Sequence, residues 1–82
     1  MAVGQVTVRL FAAAREAAGR ESITVPGGCL ADIIDDLSRS DALAPLLPKC
    51  TYLVDGARRP LSDKTAIQPG STVDVLPPFA GG

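Results

Sequence analysis

The chain has 82 residues, a net charge of −1 and no histidine. That length accommodates one small domain, the near-neutral balance lacks the basic footprint of a nucleic-acid binder, and the missing imidazole removes the usual general base and commonest metal ligand. Hydrophobic residues make up 46% and aromatics only 4%, so the core must be Val, Leu, Ile and Ala in a chain that folds rather than staying disordered.

The opening MAVGQVTV has no basic region ahead of an apolar stretch, so no secretory signal is expected. QVTVRLF, Gln5 to Phe11, alternates Val6, Val8 and Leu10 with Thr7, Arg9 and Phe11, which predicts a half-buried strand. AAAREAAG predicts a short turn of helix at most, closed by Gly19. ESITV predicts a second strand with Ile23 and Val25 inward, ended by a Pro26-Gly27-Gly28 turn and paired with the first as an antiparallel hairpin. Leu30, Ile33, Ile34 and Leu37 then form the apolar stripe of the main helix, with Asp32, Asp35, Asp36 and Arg39 on its solvent side. Ser40 and Asp41 stop it, and two prolines in ALAPLLPK exclude a continuous helix. Leu43, Leu46 and Leu47 are expected to cap the core. CTYLVDG predicts a third strand running into an Asp55-Gly56 turn, ARRP a short fourth, LSDKTAIQPGS a loop, and TVDVLP the last strand.

One main helix among these strands is an α+β pattern. The right-handed crossover rule sets the last strand parallel to the first, in the sheet centre. The expected fold is therefore a ubiquitin-like β-grasp roll, a mixed sheet of four to five strands with one main helix packed on one face. Residues 1–76 form this domain and 77–82 an extended tail. No apolar run approaches the ~20 residues needed to cross a bilayer, and no Gly-rich loop has phosphate-binding spacing. Two cysteines, Cys29 and Cys50, neither make a disulfide scaffold nor close a zinc site. A cytoplasmic protein with no bound metal or cofactor, and no self-sufficient enzyme, is expected.

In that arrangement Val73 and Val75 point inward, while Thr72, Asp74 and Leu76 point outward beside Thr7, Arg9 and Phe11. Phe11 and Leu76 then meet where the tail leaves, with Phe79 following, a candidate protein-binding patch. The alternative is that Phe11 folds under the Ala-rich turn as a core residue. Cys29 stands where Ser or Thr would cap the helix better. A thiol at a helix N-terminus can be reactive, but the commoner role for Cys29 and Cys50 is structural packing. Arg15 and Glu16 read as solvated charges, and Arg58-Arg59 beside Pro60 as a polar edge feature.

The tail, VLPPFAGG, carries no charge after Asp74. Pro77 and Pro78 favour extended geometry and project the chain from the sheet. Ala80, Gly81 and Gly82 make its end narrow enough to thread a tunnel, with a reach from Pro77 of roughly 20 Å. A terminal carboxyl with pKa of roughly 3.5 is ionised at neutral pH and is a poor electrophile. Adenylation supplies a leaving group, and a sulfur nucleophile that displaces AMP leaves a thiocarboxylate.

Three stretches carry a family resemblance. LFAAAREAAG (Leu10 to Gly19), YLVDG (Tyr52 to Gly56) and VDVLPPFAGG (Val73 to Gly82) resemble the small subunit of molybdopterin synthase, a ubiquitin-like sulfur carrier of molybdenum cofactor biosynthesis. The PP-x-x-GG ending is the most specific of them. The resemblance implies that Gly82 is adenylated by a ubiquitin-activating-type adenylyltransferase, which uses ATP, and is converted to a thiocarboxylate by a sulfur donor. It further implies that Gly81 and Gly82 thread into the large subunit of the synthase, where the sulfur passes to a cyclic pyranopterin precursor. Ala80, Phe79, Leu76 and Phe11 would meet that partner, whose side chains do the catalysis. Alternatives are a carrier for thiamine, cysteine or tRNA thiolation, a protein-conjugation tag joined through Gly82, and a non-covalent β-grasp module with an incidental tail.

Overall fold

The computed structural model describes residues 4–78. Val6, Val8 and Leu10 are buried between exposed Gln5, Thr7 and Arg9, so the period-two pattern becomes strand β1 (Gln5–Leu10). Helix α1 (Ala12–Ala18) follows. It is longer than the single turn expected, because a run of strong helix formers is anchored to the core through buried Ala14. Gly19 ends it at a φ of 72°, donating its N–H to the Arg15 carbonyl, in a left-handed cap that costs glycine no steric strain. Strand β2 (Ser22–Pro26) returns antiparallel to β1 with Thr7 opposite Thr24.

The Pro26-Gly27-Gly28 turn and the LSDKTAIQPGS loop both need correction. Strand β3 (Gly28–Cys29) pairs antiparallel with a later strand, Gly28 opposite Ile67 and Cys29 opposite Ala66. Two residues are too few to display alternation, and buried Ile67 pins this small second sheet against the core. Helix α2 (Leu30–Leu37) buries all four residues of its predicted stripe. At its start the Asp32 carboxylate accepts the Cys29 backbone N–H at 3.3 Å and the Cys29 thiol at 3.4 Å, so Asp32 compensates for the poor cap. Beyond it, Leu43 and Leu47 close the core as expected, while Leu46 is only half-buried. A 3₁₀ turn (Leu47–Lys49) leads into β4 (Thr51–Val54).

Asp55 and Gly56, with φ of 49° and 86°, form the primed kind of hairpin turn into β5 (Ala57–Arg58). The short β6 (Ala66–Ile67) is the partner of β3, and β7 (Thr72–Leu76) is the last strand among the described residues. Asp55 ties that turn to β7 by accepting the Thr72 N–H at 2.9 Å, a bond that holds its carboxyl below the usual range.

The five-stranded sheet runs β2-β1-β7-β4-β5. β7 is parallel to β1 and antiparallel to β4, so it occupies the centre and both its inward valines, Val73 and Val75, are fully buried. Together with Val6, Val8, Leu30 and Ile33 they form the core between sheet and α2. This is the β-grasp architecture. Among the described residues, no helix is long and apolar enough to cross a membrane.

Candidate functional site

The face of the sheet opposite α2 is organised around one ion pair. The parallel register sets Arg9 directly beside Asp74, both on the outward phase of their strands. The guanidinium donates through Nε to Oδ1 at 2.7 Å and through Nη2 to Oδ2 at 2.9 Å, the two-pronged geometry that fits a planar cation to a carboxylate. These hydrogen bonds and the adjacent charge raise the Arg9 pKa further above its ordinary value. The Asp74 side chain is only 11% exposed although it faces outward, against 55% for Arg9. Arg9 therefore covers the acid.

The same guanidinium lies 5.6 Å from the centroid of the Phe11 ring, within cation–π range. Phe11 keeps extended backbone angles of −122° and 151° at the α1 N-terminus, so it continues the outward phase of Arg9. The ring thus lies on the outer face, half-buried, rather than beneath α1 in the core. Leu10 opposes Val75 across the parallel pair, which brings the next residues, Phe11 and Leu76, to one level. Leu76 is half-buried and is paired on its other side with Thr51. Ala12, which follows Phe11, has a φ of 50°, a left-handed conformation uncommon outside glycine. It turns the chain sharply from β1 into α1 directly behind Phe11.

The tail root differs from the expectation for its prolines. Pro77 is buried and Pro78 is the first exposed residue after β7. Both line an apolar groove of about 200 Å³ with Ala12, Ala13, Leu46 and Lys49. The chain is therefore seated in this groove at Pro77. The remaining predicted site residues, Phe79, Ala80, Gly81 and Gly82, lie outside the described residues.

Cys50 presents no activated sulfur. The Cys50 thiol donates to the Leu46 carbonyl at 3.2 Å, and burial pushes its pKa up, which suppresses the thiolate. Cys29 is half-buried and bonded to Asp32. Among the described residues no group of His, Cys, Asp or Glu could hold a metal ion. The residue pairing that sequence reasoning missed is Arg9 with Asp74. Its signal was present, since opposite charges sit on the outward phases of two strands already expected to be neighbours.

A family model, the ThiS family, matches residues 8–82. The chain belongs to the ThiS family. The solution structure of the HVO 2177 protein of Haloferax volcanii is 32% identical, with a TM-score of 0.76 over 96% of this chain and 87% of that one. Small archaeal modifier protein 1 of Methanosarcina acetivorans is 23% identical, with a TM-score of 0.81 over 100% of both chains. A chain of the complex between subunits 1 and 2 of the molybdopterin-converting factor of Helicobacter pylori is 22% identical, with a TM-score of 0.71 over 95% of this chain and 99% of that one. At these identities the last two likenesses speak for the fold. No curated protein matches the sequence. The ThiS-family chain therefore has the ubiquitin-like sulfur-carrier fold that its three stretches resemble.

Proposed function

We propose that this ThiS-family protein is the sulfur-carrying small subunit of a molybdopterin synthase. The observation that carries the reading is the parallel β1–β7 register. It delivers the chain to Pro78 beside an outer face bearing Phe11 and Leu76, immediately before Phe79, Ala80, Gly81 and Gly82. In this reading the Gly82 carboxylate attacks the α-phosphate of ATP on a separate adenylyltransferase, releasing pyrophosphate and leaving an acyl-adenylate. A sulfide-equivalent nucleophile adds to that carbonyl, the C–O bond to phosphate breaks, AMP departs, and a thiocarboxylate remains. The large subunit holds Gly81 and Gly82 while the sulfur adds to an electrophilic carbon of a cyclic pyranopterin precursor and displaces an oxygen from it, each of two chains in turn supplying one of the two dithiolene sulfurs. Water then cleaves the acyl–sulfur bond and restores the carboxylate. The chain serves as substrate and subunit and binds no cofactor of its own. The likeness to a chain of a two-subunit molybdopterin-converting factor supports a large-subunit partner.

A second reading, a protein modifier joined through Gly82 to lysines, is favoured by the likeness to the small archaeal modifier protein. Both share activation and diverge at the acceptor. Thiocarboxylated protein mixed with a molybdopterin synthase large subunit and precursor should form the dithiolene and return to its original mass. Failure there, with Gly82 instead appearing in isopeptide bonds to lysine, would decide for the modifier.

A further inference from the structure

The Arg58-Arg59 pair has no part in the tail's chemistry, yet it does not sit on a featureless edge. Both arginines line a groove of about 460 Å³ with Pro48, Cys50, Pro60 and Leu61 among its walls. The groove exists because β5 is so short. Arg59 donates its N–H to the Tyr52 carbonyl at 3.0 Å, and Pro60, which has no N–H, ends the pairing. The chain then diverges from the Cys50–Thr51 end of β4. Leu61, 37% exposed, is the large hydrophobic side chain left open among the described residues. Arg59 is 3.6 Å from Asp63, whereas Arg58 is exposed and makes no ion pair among the described residues. Cys50, bonded to Leu46 and disfavoured as a thiolate, brings no nucleophile. The groove therefore offers recognition and no covalent chemistry.

We propose that this groove receives an acidic, extended segment of the activating partner, with a carboxylate on Arg58 and an adjacent apolar side chain against Leu61, Pro48 and Pro60. The proposal rests on the carrier reading above. Charge complementarity selects the occupant, since an unpaired guanidinium beside an exposed leucine matches a carboxylate next to an apolar residue. Continuity supplies the partner. Thr51 lines this groove and is paired with Leu76, so the groove opens onto the same outer face that leads to the tail. An enzyme that grips the tail over that face reaches Arg58 in the same encounter.

The test is ATP–pyrophosphate exchange by the activating enzyme with the full-length chain as substrate, comparing wild type, Arg58→Glu and Leu61→Ser. Reversing a rim charge that steers encounter should raise KM for the chain about tenfold with kcat unchanged, and should flatten its salt dependence. Removing the apolar contact should raise KM about threefold to fivefold. Arg58 is exposed and Leu61 37% exposed, so circular dichroism should match wild type in both variants, with an unchanged thermal midpoint for Arg58→Glu and a small fall for Leu61→Ser. Unchanged KM in both variants overturns the groove while leaving the carrier reading intact. No exchange with wild type overturns that reading instead. Amide shifts at Arg58 and Leu61 on adding AMP alone would assign the groove to a nucleotide. Self-association abolished by Arg58→Glu would assign it to a second copy. Either result overturns the acidic segment.

Discussion

At the scale of single residues, environment decides which side chains matter. Asp74 is the more buried member of its pair and Arg9 the more exposed, so the two deletions are not equivalent. Arg9→Ala removes at once the cover and partner of Asp74 and the cation over the Phe11 ring, whereas Asp74→Ala leaves a guanidinium that keeps Phe11 and solvent. The thermal midpoint should fall further for Arg9→Ala, and Arg9→Lys should recover only part of the loss because it lacks the fork. Ala12 offers a second contrast. An ordinary helical Ala→Gly substitution costs about 1 kcal/mol, but at a φ of 50° glycine relieves strain, so Ala12→Gly should show no such loss in urea unfolding. Tyr52 gives a pH test. Its hydroxyl donates to the Leu47 carbonyl, and burial, then the nearby Cys50, pushes its pKa from 10.0 to about 12. The unfolded phenol ionises first as pH rises, so the stability present below about pH 10 is lost progressively toward about pH 12. The chain has one Tyr and no Trp, so tyrosinate absorbance follows this group alone. Tyr52→Phe should flatten the alkaline decline.

At the scale of elements, stability resides where α2 meets the central strands. Ile33 is 1% exposed against the sheet, and Ile33→Ala should cost about 2–5 kcal/mol in chemical denaturation, enough to threaten a domain of this size. These elements were also the legible ones. Leu30, Ile33, Ile34 and Leu37 announce a helix by spacing, and Val6, Val8, Val73 and Val75 announce strands by alternation. Crossover handedness then fixed their order. β3 and β6 were illegible because a two-residue ladder has no period and is created by tertiary contact alone. α1 was underestimated because its Ala run lacks a wide apolar stripe, and buried Ala14 supplies the anchor instead. The site was legible in the same uneven way. Outward phase placed Phe11 and Leu76 at one level, but the seating of Pro77 depends on Ala12, Ala13 and Leu46 converging from distant parts of the chain.

At the scale of the whole molecule, the carrier reading requires a fold that stands without its tail. Among the described residues the core cluster runs from Val6 to Val75, so truncation after Pro78 should leave the thermal midpoint unchanged while abolishing sulfur loading. The most direct test of the central claim is mass spectrometry of the protein after incubation with ATP, the activating enzyme and a sulfur donor, with peptide mapping of the added sulfur. The account predicts a single oxygen-for-sulfur exchange on the peptide ending at Gly82. Sulfur carried instead on Cys29 or Cys50, with the Gly82 carboxylate unaltered, would contradict it.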